Sequence, residues 1–130
     1  MQSKSGPPDY VNGVSDENSV MLSWGQIAWL VGASQMPDAE QTFGIVTIYP
    51  NQRNPLHSHP NCEELLYVVS GTCEHKLGDE VFNVEPGCVV RIPRGVPHWA
   101  RCTSDEPLVA TICFSSPDRR TDSYEGDEVA

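Results

Sequence analysis

His57-Ser-His59-Pro-Asn-Cys-Glu63-Glu64-Leu-Leu-Tyr67-Val-Val-Ser-Gly71 is the stretch on which the reading of this chain turns. Side chains on an extended segment alternate with a period of two, so His57 and His59 face the same way. Glu64 opens an apolar run, Leu65 to Val69, that reads as a buried strand stopped by Gly71. A second stretch follows, Gly87-Cys-Val-Val-Arg-Ile-Pro93-Arg-Gly95-Val-Pro-His98. The chain holds four histidines, and three of them fall in these two segments. Three imidazoles and a carboxylate form a donor set suited to a divalent first-row metal.

Together the two stretches resemble the paired motifs of the cupin superfamily. The first motif is two histidines one residue apart, three or four residues, a glutamate, six residues and a glycine. Glu64 has the six-residue gap to Gly71 and Glu63 does not, so the resemblance implies His57, His59, Glu64 and His98 as the metal ligands. The second motif is met by Gly87, Pro93, Gly95 and His98. Two positions depart from the pattern. Asn51 stands where a glycine is usual, and asparagine also tolerates a left-handed backbone. Cys102 stands where an asparagine is usual; sharing a face with His98 on a regular strand, it is expected to make that pocket wall more apolar without binding the metal.

The resemblance implies an all-β, double-stranded β-helix or jelly-roll barrel, holding one divalent transition metal (Mn, Fe, Ni or Zn) per chain. Periodicity alone agrees with a sandwich or barrel. No useful length shows helical spacing, and short β-branched runs recur between turn residues. Strands are expected at Phe43 to Tyr49, Thr72 to Leu77, Val81 to Val84, Cys88 to Ile92, Trp99 to Thr103 and Leu108 to Phe114, with a hairpin at Gly78-Asp79. Two further short strands are expected between Ser19 and Val31, hinged near Gly25. The expected division is an N-terminal arm at 1–18, a barrel domain at 19–115, and a polar, acidic C-terminal tail at 116–130, solvated or laid over a neighbour.

A chain of 130 residues is long enough for one domain with its own core. Its net charge of −10 argues against a nucleic-acid or anionic-membrane partner. No run approaches the ~20 apolar residues of a membrane span, and residues 1–8 carry no apolar signal segment. The five dispersed cysteines read as reduced thiols, hence a cytoplasmic protein. Val11, Val14, Val20 and Met21 offer apolar surface to a second copy, and a homodimer is expected.

Around the core motifs, His75 is expected to be solvated or half-buried. Glu63 is expected on the outer surface, and Arg91 in the pocket or paired with an outer acid. Trp24 and Trp29 read as packing residues of the core or barrel mouth. The ending Phe114-Ser-Ser-Pro117-Asp-Arg119-Arg120 is similar to the Phe-Ser-Pro-x-Arg ending of small cupins that process unsaturated uronates. Here there is an extra serine, and Ile112 replaces their aspartate. Leu66 stands where dimethylsulfoniopropionate-cleaving cupins carry a tyrosine. The expected activity is that of a metal-dependent isomerase or lyase on a small oxygen-rich substrate, a sugar acid or hydroxy/keto compound, acting by Lewis-acid-assisted proton abstraction. The alternatives are an Fe(II)-dependent dioxygenase and a non-catalytic small-molecule-binding protein. No catalytic residue beyond the metal ligands is assigned.

Overall fold

A computed structural model describes residues 10–129. The N-terminal arm expected at 1–18 therefore lies partly outside the described residues; its described end forms a short 3-10 turn, Asp16–Asn18. Eleven strands follow: β1 (Ser19–Met21), β2 (Gly25–Val31), β3 (Thr42–Ile48), β4 (His57–Ser58), β5 (Glu64–Ser70), β6 (Cys73–Leu77), β7 (Glu80–Val84), β8 (Val89–Ile92), β9 (His98–Cys102), β10 (Leu108–Phe114) and β11 (Asp122–Ser123). They form two antiparallel sheets, β1-β2-β3-β10-β5-β8 and β11-β4-β9-β6-β7. This is the jelly-roll arrangement, in which two curved sheets face each other across a shared interior.

The alternation along each strand builds that interior. In β3, Thr42, Gly44, Val46 and Ile48 are buried, and in β10 Leu108, Ala110, Ile112 and Phe114 are buried. Register aligns these rows, with Leu108 opposite Ile48 and Phe114 opposite both Thr42 and Glu64. Ile48, Val68, Ile92 and Leu108 lose essentially all contact with water. Burying each such side chain favours folding by about 1.5–3 kcal/mol.

The same register brings chemistry to one end of the barrel. The starts of β5 and β9, the end of β10 and the short strand β4 meet there, with His57 paired to His98. Between Trp29 and Val31 the β2–β3 register slips by a residue. Such an irregularity bends a strand and re-aims its side chains. Opposite Trp29 stands Gly44, where an added Cβ would lie 2.8 Å from the indole ring. A small residue is needed there for the ring to fit.

The segment after Ser115 runs back over its own barrel. Ala33 and Thr42 donate to the Pro117 and Ser116 carbonyls, β11 pairs with β4, and Arg53 forms an ion pair with Glu125 at 2.9 Å. The Trp24 indole N–H donates to the Glu128 carbonyl at 2.6 Å. The acidic composition of this segment leads one to expect a strip solvated or laid over a neighbour, and many of its side chains are exposed. The backbone, however, has partners on the barrel, which satisfies polar groups that burial would otherwise leave costly.

Two motif glycines separate backbone strain from crowding. Both have positive φ, 75° at Gly71 and 92° at Gly87. A Cβ at Gly71 would lie 2.6 Å from the Pro107 carbonyl oxygen and 2.9 Å from Leu108 Cα, whereas at Gly87 it meets nothing within 4 Å. Gly87→Ala is expected to cost about 1 kcal/mol, the ordinary penalty for a left-handed alanine. Gly71→Ala is expected to cost at least about 2–3 kcal/mol, because the backbone must also move. Urea unfolding of the two variants measures the difference; equal costs would contradict it.

Candidate metal centre

Four residues from three places in the chain converge at the open end of the barrel. His57 lies in β4, His59 just beyond it, Glu64 opens β5 and His98 opens β9. All four are buried, and one ligand atom from each lies within 4.8 Å of the others. The Glu64 Oε1 oxygen is 3.3 Å from His59 Nε2 and 3.2 Å from His98 Nε2.

The far side of each ring explains its orientation. His57 Nδ1 lies 2.7 Å from the Pro55 carbonyl oxygen, His59 Nδ1 2.9 Å from that of Arg120, and His98 Nδ1 3.0 Å from that of Val96. A carbonyl only accepts, so each Nδ1 carries the proton and donates. In a neutral ring the lone pair then sits on Nε2. Three such lone pairs point toward a carboxylate, and acceptors facing acceptors repel unless a cation lies between them. Accordingly His59 Nε2, His98 Nε2 and Glu64 Oε1 are buried without hydrogen-bond partners. Two donors each about 2.0–2.2 Å from an ion and at a right angle lie about 3 Å apart, close to the spacings seen. The group fits one divalent metal ion.

In the metal-free chain a proton competes for the place between Glu64 and the rings. Burial drives the His57 pKa down to about 3, reinforced by His98. Burial raises the Glu64 carboxyl pKa, but His59 and His98 outweigh it, holding Glu64 well below the usual carboxylate range. At His98, burial lowers the pKa while Glu64 raises it more, leaving His98 above 6.5. Protons and a metal thus compete at His98 above all.

His57, His59 and Glu64 line a cavity of about 30 Å³, whose walls also include Asn54, Trp29, Leu66, Ile112, Phe114 and Arg119. That is about the volume of one or two waters. Phe114 meets the His59 ring edge-on at 4.9 Å, and Arg119 lies over the Trp29 ring at 3.8 Å. Asn54 also braces the site: its side-chain oxygen accepts from the Ala100 backbone N–H at 2.8 Å.

Glu63 points outward, as expected, and pairs with Arg91 at 2.7 Å, the second of the two roles open to that arginine. Other positions differ from expectation. Cys102 faces inward, but its thiol donates to the Glu106 carbonyl at 3.3 Å and does not line the cavity. It lies four residue steps from His98, about 13 Å of chain, so a shared face does not mean a shared pocket. His75 is fully buried rather than solvated, nearly parallel to the His98 ring at 6.0 Å and to Phe82 at 5.8 Å. The inward alternation of Cys73, His75 and Leu77 on β6 places it there, and burial pushes its pKa down to about 4. Trp29, Asn54 and Arg119 were not picked out as site residues. Arg119 had a signal in the Phe114–Arg120 ending; Asn54 had none, since only the fold brings its loop to the cavity.

Acid is expected to strip the metal. Because His98 must be unprotonated to coordinate and its pKa in the metal-free chain is raised, apparent metal affinity is expected to weaken as pH falls through that raised value. His98→Ala should lower occupancy at least tenfold at pH 7.5, whereas Glu63→Gln should leave it unchanged, as read by elemental analysis after dialysis. Full occupancy in His98→Ala would contradict the four-residue centre.

Comparison with known proteins agrees with this geometry. The family model described as "Cupin domain" matches residues 44–114. Protein SchB of Streptomyces halstedii is 36% identical over 94 residues, which cover 67% of each chain. Acireductone dioxygenase of Citrobacter koseri is 30% identical over 79 residues, 57% of this chain and 43% of that protein. The structure of Lactobacillus farciminis oxalate decarboxylase in complex with formate superposes with a TM-score of 0.76 at 27% identity, covering 82% of this chain and 33% of that one. The chain spans 31% of the germin-like protein 1-4 of Oryza sativa subsp. japonica, and 33% of that oxalate decarboxylase chain. With the barrel, the inward histidines and the matched motifs together, the chain belongs to the cupin family.

Proposed function

We propose that this protein is a metal-dependent enzyme acting on a small oxygen-rich substrate, a sugar acid or hydroxy/keto compound, as an isomerase or lyase. The observation that carries this reading is the convergence of four buried ligand atoms beside a small cavity. A divalent ion of manganese, iron, nickel or zinc, when bound, would supply Lewis-acid polarisation of a carbonyl or carboxylate oxygen. The chain's own residues do the rest. The three backbone-anchored imidazoles hold the donor atoms rigidly, the apolar walls exclude water, and Arg119 places a positive charge at the cavity wall.

A specific feature supports a second reading, the Fe(II)-dependent dioxygenase. Among the described residues that line the cavity, Glu64 is the only carboxylate, and the polar members besides the ligands are Asn54 and Arg119. Proton abstraction by a dedicated base has no second carboxylate to draw on, while Leu66, Ile112 and Phe114 make a wall suited to dioxygen. The acireductone dioxygenases among the relatives are consistent with that reading. Metal analysis followed by parallel aerobic and anaerobic assays on sugar acids and hydroxyketones separates the two. Turnover without oxygen is expected for the isomerase or lyase; oxygen consumed in proportion to product supports the dioxygenase. Ligand bound at the metal without turnover under either condition would leave the non-catalytic binding role.

The same reading places the protein in the cytoplasm as a homodimer. All five cysteines are unbridged, as a reducing compartment maintains them. No helix among the described residues is long and apolar enough to cross a membrane. Val11, Val14, Val20 and Met21 are exposed, and so are Leu65, Tyr67, Val69 and Val89 on the outer face of the six-stranded sheet. Ile45, Thr111, Tyr67 and Val89 form one uncharged row across that face. In a chain of net charge −10, such an uncharged row, edged by the Arg91–Glu63 pair, is suited to a second copy. Light scattering at micromolar concentration should give twice the chain mass, and Tyr67→Asp should halve it. A monomeric wild type would refute the dimer.

A further inference from the structure

The last described residues return to the metal site. Val129 lines the inner cavity together with His57, His59 and Glu64. The residues just before it, Glu125 to Glu128, line a separate space of about 550 Å³ with Ser23, Trp24 and Arg53. Asn54 belongs to both walls. This end of the chain is therefore a partition, with metal ligands on one side and a larger space on the other.

Gly126 divides the partition into a fixed part and a part held by one residue. Up to Glu125 the segment is fastened repeatedly: β11 pairs with β4, and the Tyr124 N–H donates to the Leu56 carbonyl at 3.0 Å. The Glu125 carboxylate accepts from Arg53 at 2.9 and 3.1 Å and from the Leu56 N–H at 2.6 Å. Past Gly126, the ties to the barrel among the described residues all end on Glu128. Its carboxylate accepts from the Ser23 N–H at 2.9 Å and from the Ser23 hydroxyl, and its carbonyl accepts from Trp24 Nε1 at 2.6 Å. The Glu128 side chain is exposed, so water competes for its bonds. Gly126 itself has φ of 98°, with nothing within 4 Å of an added Cβ. Glycine rotates there without a steric penalty, as a hinge requires.

Size gives this arrangement a consequence. The inner cavity of about 30 Å³ holds one or two waters, so a larger ligand enters only if a wall moves. Leu66, Ile112 and Phe114 in that wall belong to the buried core, and Trp29 packs against it. Displacing them opens the barrel itself. Displacing Val129 breaks only the bonds of Glu128, which puts residues 127–129 at the low-stability end of the molecule.

We propose that residues 127–129 are a flap over the metal cavity, hinged at Gly126 and latched by Glu128 on Ser23 and Trp24. Latched, the site admits only ligands about the size of its waters. Released, Val129 leaves the wall and the cavity joins the larger space beside Asn54, so larger ligands bind at the rate of opening. This rests on the metal-centre reading.

The test follows ligand binding to the cobalt(II)-loaded full-length protein by stopped-flow cobalt absorption. Azide serves as the small probe, in place of the cavity waters, and imidazole as the large one. In wild type the azide rate should rise in proportion to concentration, whereas the imidazole rate should level off at the opening rate. Glu128→Ala should raise that plateau fivefold or more, with the azide rate changed less than twofold and cobalt stoichiometry unchanged. Ser23→Ala, which keeps the backbone donor, should raise it less, and serves if the Glu128 variant does not fold. Asp127→Ala removes the same charge without touching the latch and should leave the plateau within twofold. An imidazole rate without a plateau in wild type overturns the proposal. So does a plateau that neither latch variant moves, or one that rises only in step with the azide rate. A wild type that takes up no cobalt instead overturns the metal-centre reading, and the proposal falls with it.

Discussion

Three hydrogen bonds from ring nitrogens to backbone carbonyls organise this site. Each binds a histidine Nδ1 to a main-chain oxygen, of Pro55, Arg120 or Val96. The bond fixes the tautomer and, with it, the direction of the Nε2 lone pair. Without these anchors the imidazoles would turn toward Glu64 as donors and form an ordinary buried ion-pair cluster. With them, the inner faces of His59, His98 and Glu64 present only acceptors, and buried acceptors without partners are unfavourable by about 1–3 kcal/mol each. Burial and the anchoring carbonyls thus make a cation the natural missing component.

The three carbonyls also show how the fold serves the site. Two of them lie two residues before the histidine they hold, so the local chain sets His57 and His98. The third comes from Arg120, sixty-one residues beyond His59, in the segment that returns over the barrel. That return is itself fastened on both sides: Arg120 N–H donates to the Asn61 side-chain oxygen, and the Asn61 amide donates to the Asp118 carbonyl. Arg119 and Thr121 flank Arg120, so the same few residues orient a ligand ring and form the cavity wall. A segment with the composition of a solvated tail becomes part of the centre through its backbone, a contribution that side-chain composition does not reveal.

What could be read in the sequence follows from this division. His57, His59, Glu64 and His98 were legible because strand alternation and motif spacing both constrain them. Asn51, standing in for a motif glycine, indeed has the left-handed φ of 65° that the position demands. Gly78 likewise has φ of 61° in the β6–β7 hairpin. Alternation tells which face a residue occupies and not how far along the barrel it sits, and for that reason Cys102 was placed too near the metal. His75 was underestimated for a different reason. Its neighbours Glu74 and Lys76 are charged, and the inward step between them shows only when Cys73 and Leu77 are read as the same row. Asn54 and the Arg120 carbonyl reach the site through loops, whose positions depend on tertiary packing.

Direct observation of ring nitrogens tests the central claim most sharply. Long-range proton–nitrogen correlation NMR on nitrogen-15-labelled, zinc-loaded protein distinguishes protonated, bare and metal-bound imidazole nitrogens. His57, His59 and His98 should each show a protonated Nδ1 and a zinc-bound Nε2, while His75 shows a neutral ring free of metal. Zinc on Nδ1 of any of the three, or a ring with no protonated nitrogen at the carbonyl side, would contradict the account that backbone anchoring creates the centre.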